Sequence, residues 1–212
     1  MDKKTESLET LSDIRSMMER SVRFISLNGL SGVFAGLFAL VGAAAAFIFL
    51  KLNHTGFRYY DYAFLPDGSS NPSFYVFIFT DAFLVLSASL FVAILLSGRK
   101  AKKKGLKLWD SSTKRLLINM FIPLCIGGIF CIILIYHSLV GFVAPATLIF
   151  YGLALINASK YTLNDIRHLG MAEAGIGLLA AIWIGYGLFF WAVGFGVLHI
   201  VYGIVMYYKY ER

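Results

Sequence analysis

The chain has 212 residues, of which 58% are hydrophobic and 15% are charged, and its mean hydropathy is +0.73. About a quarter of the residues of an ordinary soluble domain are charged, so this composition argues against a soluble protein and indicates lipid surroundings. The net charge of +7 does not indicate a nucleic-acid-binding protein, because the basic residues flank apolar blocks and suit a cytoplasmic membrane surface.

Residues 1–22 are predicted to form a cytoplasmic amphipathic helix. Its apolar side chains recur three or four positions apart, at Leu8, Leu11, Ile14, Met18 and Val22. We expect this helix to lie on the inner membrane face or against the helical bundle, and a soluble interaction helix is the alternative. A cleavable signal peptide is not indicated, because the segment is acidic as well as basic and the apolar stretch behind it is too long.

Residues 23–208 are predicted to form a transmembrane domain of six helices. A helix needs about 20 apolar residues to cross a bilayer core of about 30 Å. The uncharged blocks 116–159 and 174–208 hold 44 and 35 residues, so each must fold back. We expect turns at 137–141, with Pro145 in the first turn of the return helix, and near 185–187. The six spans are predicted at about 24–50, 74–97, 116–136, 141–158, 171–187 and 189–208.

The distribution of lysine and arginine predicts the orientation of these spans. With the N-terminus inside, 17 of the 19 basic residues fall on the inner side, and Lys51 and Arg58 are the two exceptions. The predicted fold is an all-α integral membrane protein with six transmembrane helices in three hairpins, preceded by the N-terminal amphipathic helix. Both termini, including the tail 209–212, are expected in the cytoplasm, and the expected location is the cell inner (plasma) membrane.

The long outer loop, residues 51–73, ends with a helix-start signal. Asn71 is a suitable N-cap for the second span, and Pro72 suits its first turn. The loop is rich in aromatic residues between positions 57 and 62. These side chains either bind a ligand or form an aromatic belt at the interface, and the belt is the usual role.

Small residues recur along one face of several spans and predict close helix packing. Helices in lipid associate where small residues let their backbones approach. The glycines expected at these contacts are Gly29, Gly32 and Gly36 in the first span, Gly177 in the fifth, and Gly196 and Gly203 in the sixth. Contacts within one chain are favoured over dimer faces.

Four ionisable residues are candidates for a ligand or ion site. A charged side chain at bilayer depth costs roughly 2.5–3.5 kcal/mol, so Asp81 in the second span is either a proton or cation site or a hydrogen-bonded structural residue. His199 lies midway along the sixth span and His137 at an outer turn; together with Asp81 they suit a metal or a proton relay, although a neutral, hydrogen-bonded histidine is commoner. Glu173 begins the fifth span, where the helix dipole favours a structural carboxylate.

Two further groups of polar residues lie near the inner ends of the spans. A basic loop contains Arg99, Lys100, Lys102, Lys103 and Lys104. Such a cluster attracts anionic headgroups by about 1 kcal/mol per residue and also determines topology, which is the interpretation we favour. Asn28, Asn119 and Asn157 either line an inner vestibule or hydrogen-bond helices together, and the second role is favoured.

Three functions follow from these patterns. The first is a non-enzymatic membrane component that binds a partner protein, a lipid or a hydrophobic ligand, and scarce buried charge favours it. The second is a small-solute or proton-linked transporter or channel that uses Asp81 and His199. The third is an intramembrane metal-dependent enzyme built on Asp81, His137 and His199, which no recognisable catalytic motif supports. The expected partners are the bilayer, its anionic headgroups and a partner protein or second copy; no cofactor or nucleic acid is expected.

Overall fold

The computed structural model of the protein describes residues 28–53, 58–103, 105, 109, 111–210 and 212. The predicted amphipathic helix at residues 1–22, the beginning of the first predicted span and Lys104 lie outside these residues. The described part of the chain is helical and contains no β-strand, apart from one isolated bridge between Phe64 and Ser70. The predicted all-helical fold is confirmed for these residues.

The described residues form six helices, which we number in chain order. Their bounds are α1 Gly29–Asn53, α2 Pro72–Lys103, α3 Ser111–Tyr136, α4 Val143–Ala158, α5 Asp165–Ile182 and α6 Ile184–Tyr210. The last helix is not uniform: a π-helical segment at Ala192–Leu198 interrupts it before it ends as the α-helix His199–Tyr210. Such wider turns inside helices are frequent at functional sites.

Five of the six helical stretches are long and apolar enough to cross a membrane. They are α1, α2, α3, α6 and the stretch Val140–Tyr161, which contains α4. Helix α5 is apolar over much of its length, but its 18 residues include Asp165, Arg167 and Glu173. The composition and lengths of the helices therefore support a multi-pass membrane protein, and the sixth crossing depends on how the charges of α5 are accommodated.

The chain reverses direction close to the predicted turns. Helix α3 ends at Tyr136, Ser138 adopts a positive φ of 61°, and α4 carries Pro145 in its first turn. The second reversal comes at Trp183, before the predicted turn at 185–187. Gly187, just after this turn, packs closely on the α1–α2 loop, since a Cβ there would lie 2.6 Å from the Tyr59 hydroxyl.

The helices pack roughly in a row. Helix α1 contacts α2 on one side and α6 on the other; α4 and α5 form the closest pair, and α3 packs on α4. Helices α2 and α3 therefore lie at the two ends of the row. In α2, no residue of the most apolar 18-residue stretch is fully buried, and the face turned away from α1 is open to lipid or to another helix.

The loop between α1 and α2 contacts the turns at the neighbouring helix ends. The Tyr59 hydroxyl donates a hydrogen bond of 3.2 Å to the carbonyl of Gly141 at the α3–α4 turn, and burial raises the pKa of Tyr59 above its usual range. Asn71 caps α2, because its Oδ1 accepts the backbone N–H of Ser73 at 3.1 Å, as predicted. The loop aromatics thus pack on the protein's own turns.

Candidate functional site

Glu173 lies in the middle of α5, eight residues after its start and nine before its end. Its side chain is completely buried, with 0% exposure. The sequence prediction placed it at the beginning of a span near the cytoplasmic boundary, where the helix dipole stabilises a carboxylate. That placement differs from the structure because α5 begins at Asp165, which puts about 12 Å of helix between its N-terminus and Glu173.

His199 is the partner of this buried carboxyl group. Its Nδ1 lies 3.2 Å from Oε1 of Glu173 and hydrogen-bonds to the carbonyl oxygen of Gly194 at 3.1 Å. Its other ring nitrogen, Nε2, hydrogen-bonds to the hydroxyl of Tyr151 on α4 at 2.8 Å. The three ionisable side chains come from α4, α5 and α6, so they join three helices. We call Tyr151, Glu173 and His199 the buried polar centre.

The π-helical segment explains how the centre fits between the helices. Gly194, within that segment, supplies the carbonyl that contacts His199. A Cβ on Gly194 would lie 2.5 Å from Oε2 of Glu173 and 2.5 Å from a methyl group of Leu148. Any larger side chain at position 194 would therefore displace the carboxyl group, so glycine is required there for the close approach of α5 and α6.

The hydrogen bonds of the centre are incomplete at the carboxyl group. Among the described residues, neither Oε1 nor Oε2 of Glu173 has a hydrogen bond of good geometry, although both atoms are buried. A buried ionised carboxylate without donors is costly in a low-dielectric interior. The arrangement therefore suits a carboxyl group that is either protonated or neutralised by a positively charged His199.

Asp81 occupies a different place, in the contact between α1 and α2. A Cβ on Gly42 would lie 3.2 Å from Oδ2 and 3.4 Å from Oδ1 of Asp81, so the carboxyl group points at the α1 backbone. The side chain is partly exposed, and none of the described residues donates a hydrogen bond to it. Asp81 is therefore a partly exposed polar group at the α1–α2 edge of the bundle.

The structure does not bring Asp81, His137 and His199 together. His199 meets α1 at Gly32 and Asp81 meets it at Gly42, ten residues or about 15 Å farther along the axis. His137 lies exposed at the α3–α4 turn, edge-on to Tyr136. Within the described residues, no three His, Cys, Asp or Glu side chains form a group that suits a metal. A metal site built on these three residues has no support.

The asparagines near the inner helix ends make hydrogen bonds. Pro123 in α3 has no N–H to offer the carbonyl of Asn119 four residues earlier. The side-chain Nδ2 of Asn157 on α4 donates to that carbonyl at 2.8 Å. Asn28 instead caps α1, since its Oδ1 accepts the N–H of Leu30 at 2.9 Å.

The predicted basic loop is part of α2. Arg99, Lys100, Lys102 and Lys103 lie in the last turns of this helix, which runs to Lys103. Arg99, Lys102 and Lys103 are exposed. Positive charge at a helix C-terminus is favourable because it faces the negative end of the helix dipole, so the cluster is compatible with a long α2.

The predicted glycines all lie at helix contacts. Gly29, Gly32 and Gly36 of α1 face α6, and a Cβ on Gly36 would lie 2.5 Å from the carbonyl oxygen of Gly196. Gly203 is equally close to the backbone of α1, and Gly177 packs on α4 at Ile149. Gly152 and Gly170 form a second close contact, between α4 and α5.

Sequence reasoning missed Tyr151 of the buried polar centre, and also Gly194, whose carbonyl oxygen contacts His199. One local signal was present: Glu173 is the single carboxylate between positions 166 and 210, and it lies well inside an apolar block. A charged residue inside a membrane span, such as Asp81 or Glu173, predicts a polar partner on a neighbouring helix. His199 was the available group, because it is the single histidine in the last predicted span.

No family model, no curated protein and no solved structure matches this chain. Function must therefore be inferred from the chemistry and exposure of its own side chains. The two places where ionisable groups meet apolar surroundings are the buried polar centre and the open edge at Asp81. The first is enclosed by the protein, whereas the second is accessible from outside the bundle.

Proposed function

We propose that the protein is a six-span protein of the cell inner (plasma) membrane with both termini in the cytoplasm. The lysine and arginine distribution supports this orientation. The sixth crossing would be α5, whose one charge at mid-helix, Glu173, faces His199 and not lipid. Asp165 at its inner end contacts Lys209 Nζ at 3.0 Å, so that charge needs no membrane burial. The basic end of α2 then faces the anionic headgroups of the inner leaflet.

Within that membrane we propose a non-enzymatic role, in which α2 binds a helix of a partner protein. The observation that carries the proposal is the Asp81 carboxyl group: it lies within an apolar helix long enough to cross a membrane, partly exposed, with no hydrogen bond from the described residues. A polar group in hydrocarbon is stabilised when another helix supplies a hydrogen-bond donor. The open face of α2 leaves room for such a helix.

The chemistry of Asp81 specifies the partner. The partner helix must present a donor at the depth of Asp81, about 14 Å from the start of α2 at Pro72. A lysine, arginine, histidine, asparagine or glutamine side chain satisfies this requirement, and a second carboxyl group does so when protonated. Both a different membrane protein and a second copy of this chain meet the description.

Transport through the chain is less well supported. The second function predicted from the sequence used Asp81 and His199 along one pathway, but these residues meet α1 about 15 Å apart along its axis. His199 is itself buried, and its ring nitrogens contact protein atoms of three residues. The enzymatic function required a three-residue metal site that the described residues do not form.

The proposal can be tested by site-specific photo-crosslinking in native membranes. A photoreactive amino acid replaces Leu84, which is 60% exposed and lies one helical turn from Asp81 on α2. The matched control position is Ile129 of α3, also 60% exposed at the far end of the row of helices. We expect a discrete crosslinked product from position 84 and none from position 129.

Two variants separate a specific contact from chance collisions. Asp81→Asn keeps a hydrogen-bonding side chain and should retain the product, whereas Asp81→Leu should abolish it. The mass of the product distinguishes a second copy of the chain from another protein. An undiminished product in Asp81→Leu, or equal crosslinking from position 129, would refute partner binding at this edge.

A further inference from the structure

We infer that Glu173 and His199 form a proton-binding site in the interior of the bundle, in which one proton is carried either by Glu173 or by Nε2 of His199. The carboxyl group is 0% exposed and His199 is 7% exposed. The Nδ1 atom of His199, 3.2 Å from Oε1, belongs to the one group with a potential positive charge that contacts the carboxyl group among the described residues. The inference is independent of partner binding at α2.

The hydrogen bonds of His199 define where hydrogens can be. The carbonyl oxygen of Gly194 is solely an acceptor, so Nδ1, at 3.1 Å from it, carries a hydrogen. Nε2 faces the Tyr151 hydroxyl, which can donate to a bare nitrogen or accept from a protonated one. The site therefore accommodates both the neutral and the positively charged imidazole without moving a side chain.

Charge neutrality selects the state with one proton. With no proton on either a Glu173 oxygen or Nε2, an isolated carboxylate is buried; with a proton on both, an isolated imidazolium is buried. Either isolated charge is strongly disfavoured in a low-dielectric interior. With one proton, the site is a carboxylic acid beside a neutral imidazole, or a carboxylate beside an imidazolium, and its net charge is zero in both forms.

Among the described residues, the groups that contact the site from the neighbouring helices are uncharged or can be neutral. Helix α4 presents Tyr151 and Leu148, and α6 presents the Gly194 carbonyl. Helix α1 meets the backbone carbonyl of His199 at Gly32 and has no Asp, Glu, Arg or Lys between positions 29 and 50. On α5, the next ionisable groups are those of His168 and Arg167, which are exposed and lie about 7.5 and 9 Å away along the axis.

Proton occupancy is expected to control the contact between α5 and α6. Oε2 of Glu173 lies in the space that a Cβ of Gly194 would occupy, so the carboxyl group is held against the α6 backbone. When the proton leaves, the carboxylate has no compensating charge, and solvation requires the two helices to separate. The site thus links a protonation event to the packing of the second half of the bundle.

The decisive experiment counts protons on the site at about pH 8. Ordinary glutamate and histidine side chains titrate near pH 4.3 and 6.5, so independent groups would carry no proton there. The full chain is labelled at glutamate carboxyl carbons and histidine ring nitrogens and placed in lipid nanodiscs. Infrared difference spectra against Glu173→Gln report a protonated Glu173, and nitrogen NMR against His199→Gln reports a protonated Nε2.

We expect one of the two signals and not the other: a protonated carboxyl group with a bare Nε2, or an ionised carboxylate with a protonated Nε2. An ionised carboxylate together with a bare Nε2 would overturn the inference, and so would protons on both groups. Tyr151→Phe serves as the matched variant, because it removes the Nε2 hydrogen bond and should shift the Nε2 resonance while the proton count stays at one.

The result does not depend on variants that fold poorly. If Glu173→Gln or His199→Gln does not fold, His137→Gln and His168→Gln, at exposed positions, together with His54→Gln, leave the signal of His199 by elimination. In the unmodified chain, the infrared bands of exposed carboxyl groups shift when their hydrogens exchange with deuterium. A labelled glutamate carboxyl band that does not shift then reports Glu173. The same pair of outcomes supports or overturns the one-proton site.

Discussion

Pro123 shows how a single residue in one helix creates a requirement in another. The carbonyl of Asn119 loses its intrahelical donor at position 123 and receives the Asn157 side chain of α4 instead, at 2.8 Å. Prolines are tolerated in membrane helices where neighbouring helices satisfy the freed backbone groups. The α3–α4 contact therefore includes a hydrogen bond that is needed because Pro123 lacks an N–H.

We predict that Asn157→Ala destabilises the protein by about 1–3 kcal/mol, because it leaves a partly buried carbonyl unsatisfied. The cost should fall to less than about half of that in a Pro123→Ala background, where the restored backbone N–H at position 123 serves Asn119. Unfolding of the purified protein in detergent micelles measures all four combinations.

Asn53→Ala is the matched control, since its Nδ2 bonds the Phe49 carbonyl within α1 at an exposed position. We expect little change in stability from that substitution. If Asn157→Ala lowered the free energy of unfolding equally with and without Pro123, the hydrogen bond to the Asn119 carbonyl would not be the reason that Asn157 stabilises the protein.

At the scale of helices, glycine determines how closely α1 and α6 approach. A Cβ on Gly203 would lie 2.6 Å from the backbone nitrogen of Val33 and 2.8 Å from the carbonyl oxygen of Gly29. These are backbone atoms, which cannot move aside without shifting a helix. By contrast, a Cβ on Gly175 of α5 meets no atom within 4 Å.

We predict that Gly203→Ala destabilises the bundle by about 1–3 kcal/mol through overpacking. Gly175→Ala should be neutral or slightly stabilising, because alanine is favoured over glycine inside a helix by up to about 1 kcal/mol. The two variants are compared by thermal unfolding in the same detergent. Equal behaviour of the pair would show that α1 and α6 separate easily at this contact.

At the scale of the whole molecule, the row of helices places the buried polar centre in one half and the open helix α2 at one end. Helix α5 is the one that decides the topology, since it is charged and yet central to the α4–α5–α6 packing. If α5 crosses the membrane, residues at its two ends must be accessible from opposite sides.

We predict that a membrane-impermeant thiol reagent applied outside cells labels Ser69→Cys and Trp183→Cys but not Lys102→Cys or Lys160→Cys. The positions are exposed, and Cys125 and Cys131 are first replaced by alanine. Permeabilised cells should give labelling at all four positions, which serves as the control. Labelling of Lys160→Cys and Trp183→Cys from the same side would show that α5 does not cross.

Local features of the chain were predictable from the sequence. The helical composition, the five long apolar helices, the reversal after Tyr136 and the Asn71 cap all follow from hydropathy, block length and the chemistry of neighbouring residues. The sequence also predicted glycines where helices meet. Each of these features depends on residues that are close together in the sequence. They can therefore be predicted without knowing how the helices are rotated relative to one another.

The tertiary structure decided which polar groups meet. Tyr151 and His199 are 48 positions apart, and their hydrogen bond depends on the register and rotation of α4 and α6, which length and hydropathy leave undetermined. The start of α5 at Asp165 moved Glu173 from a helix end to the helix centre, and the π-helical segment brought the Gly194 carbonyl to His199. By itself, the sequence determined that this chain is a set of apolar helices. The tertiary structure alone placed a buried carboxyl group beside a histidine, because contacts between distant segments depend on how whole helices pack.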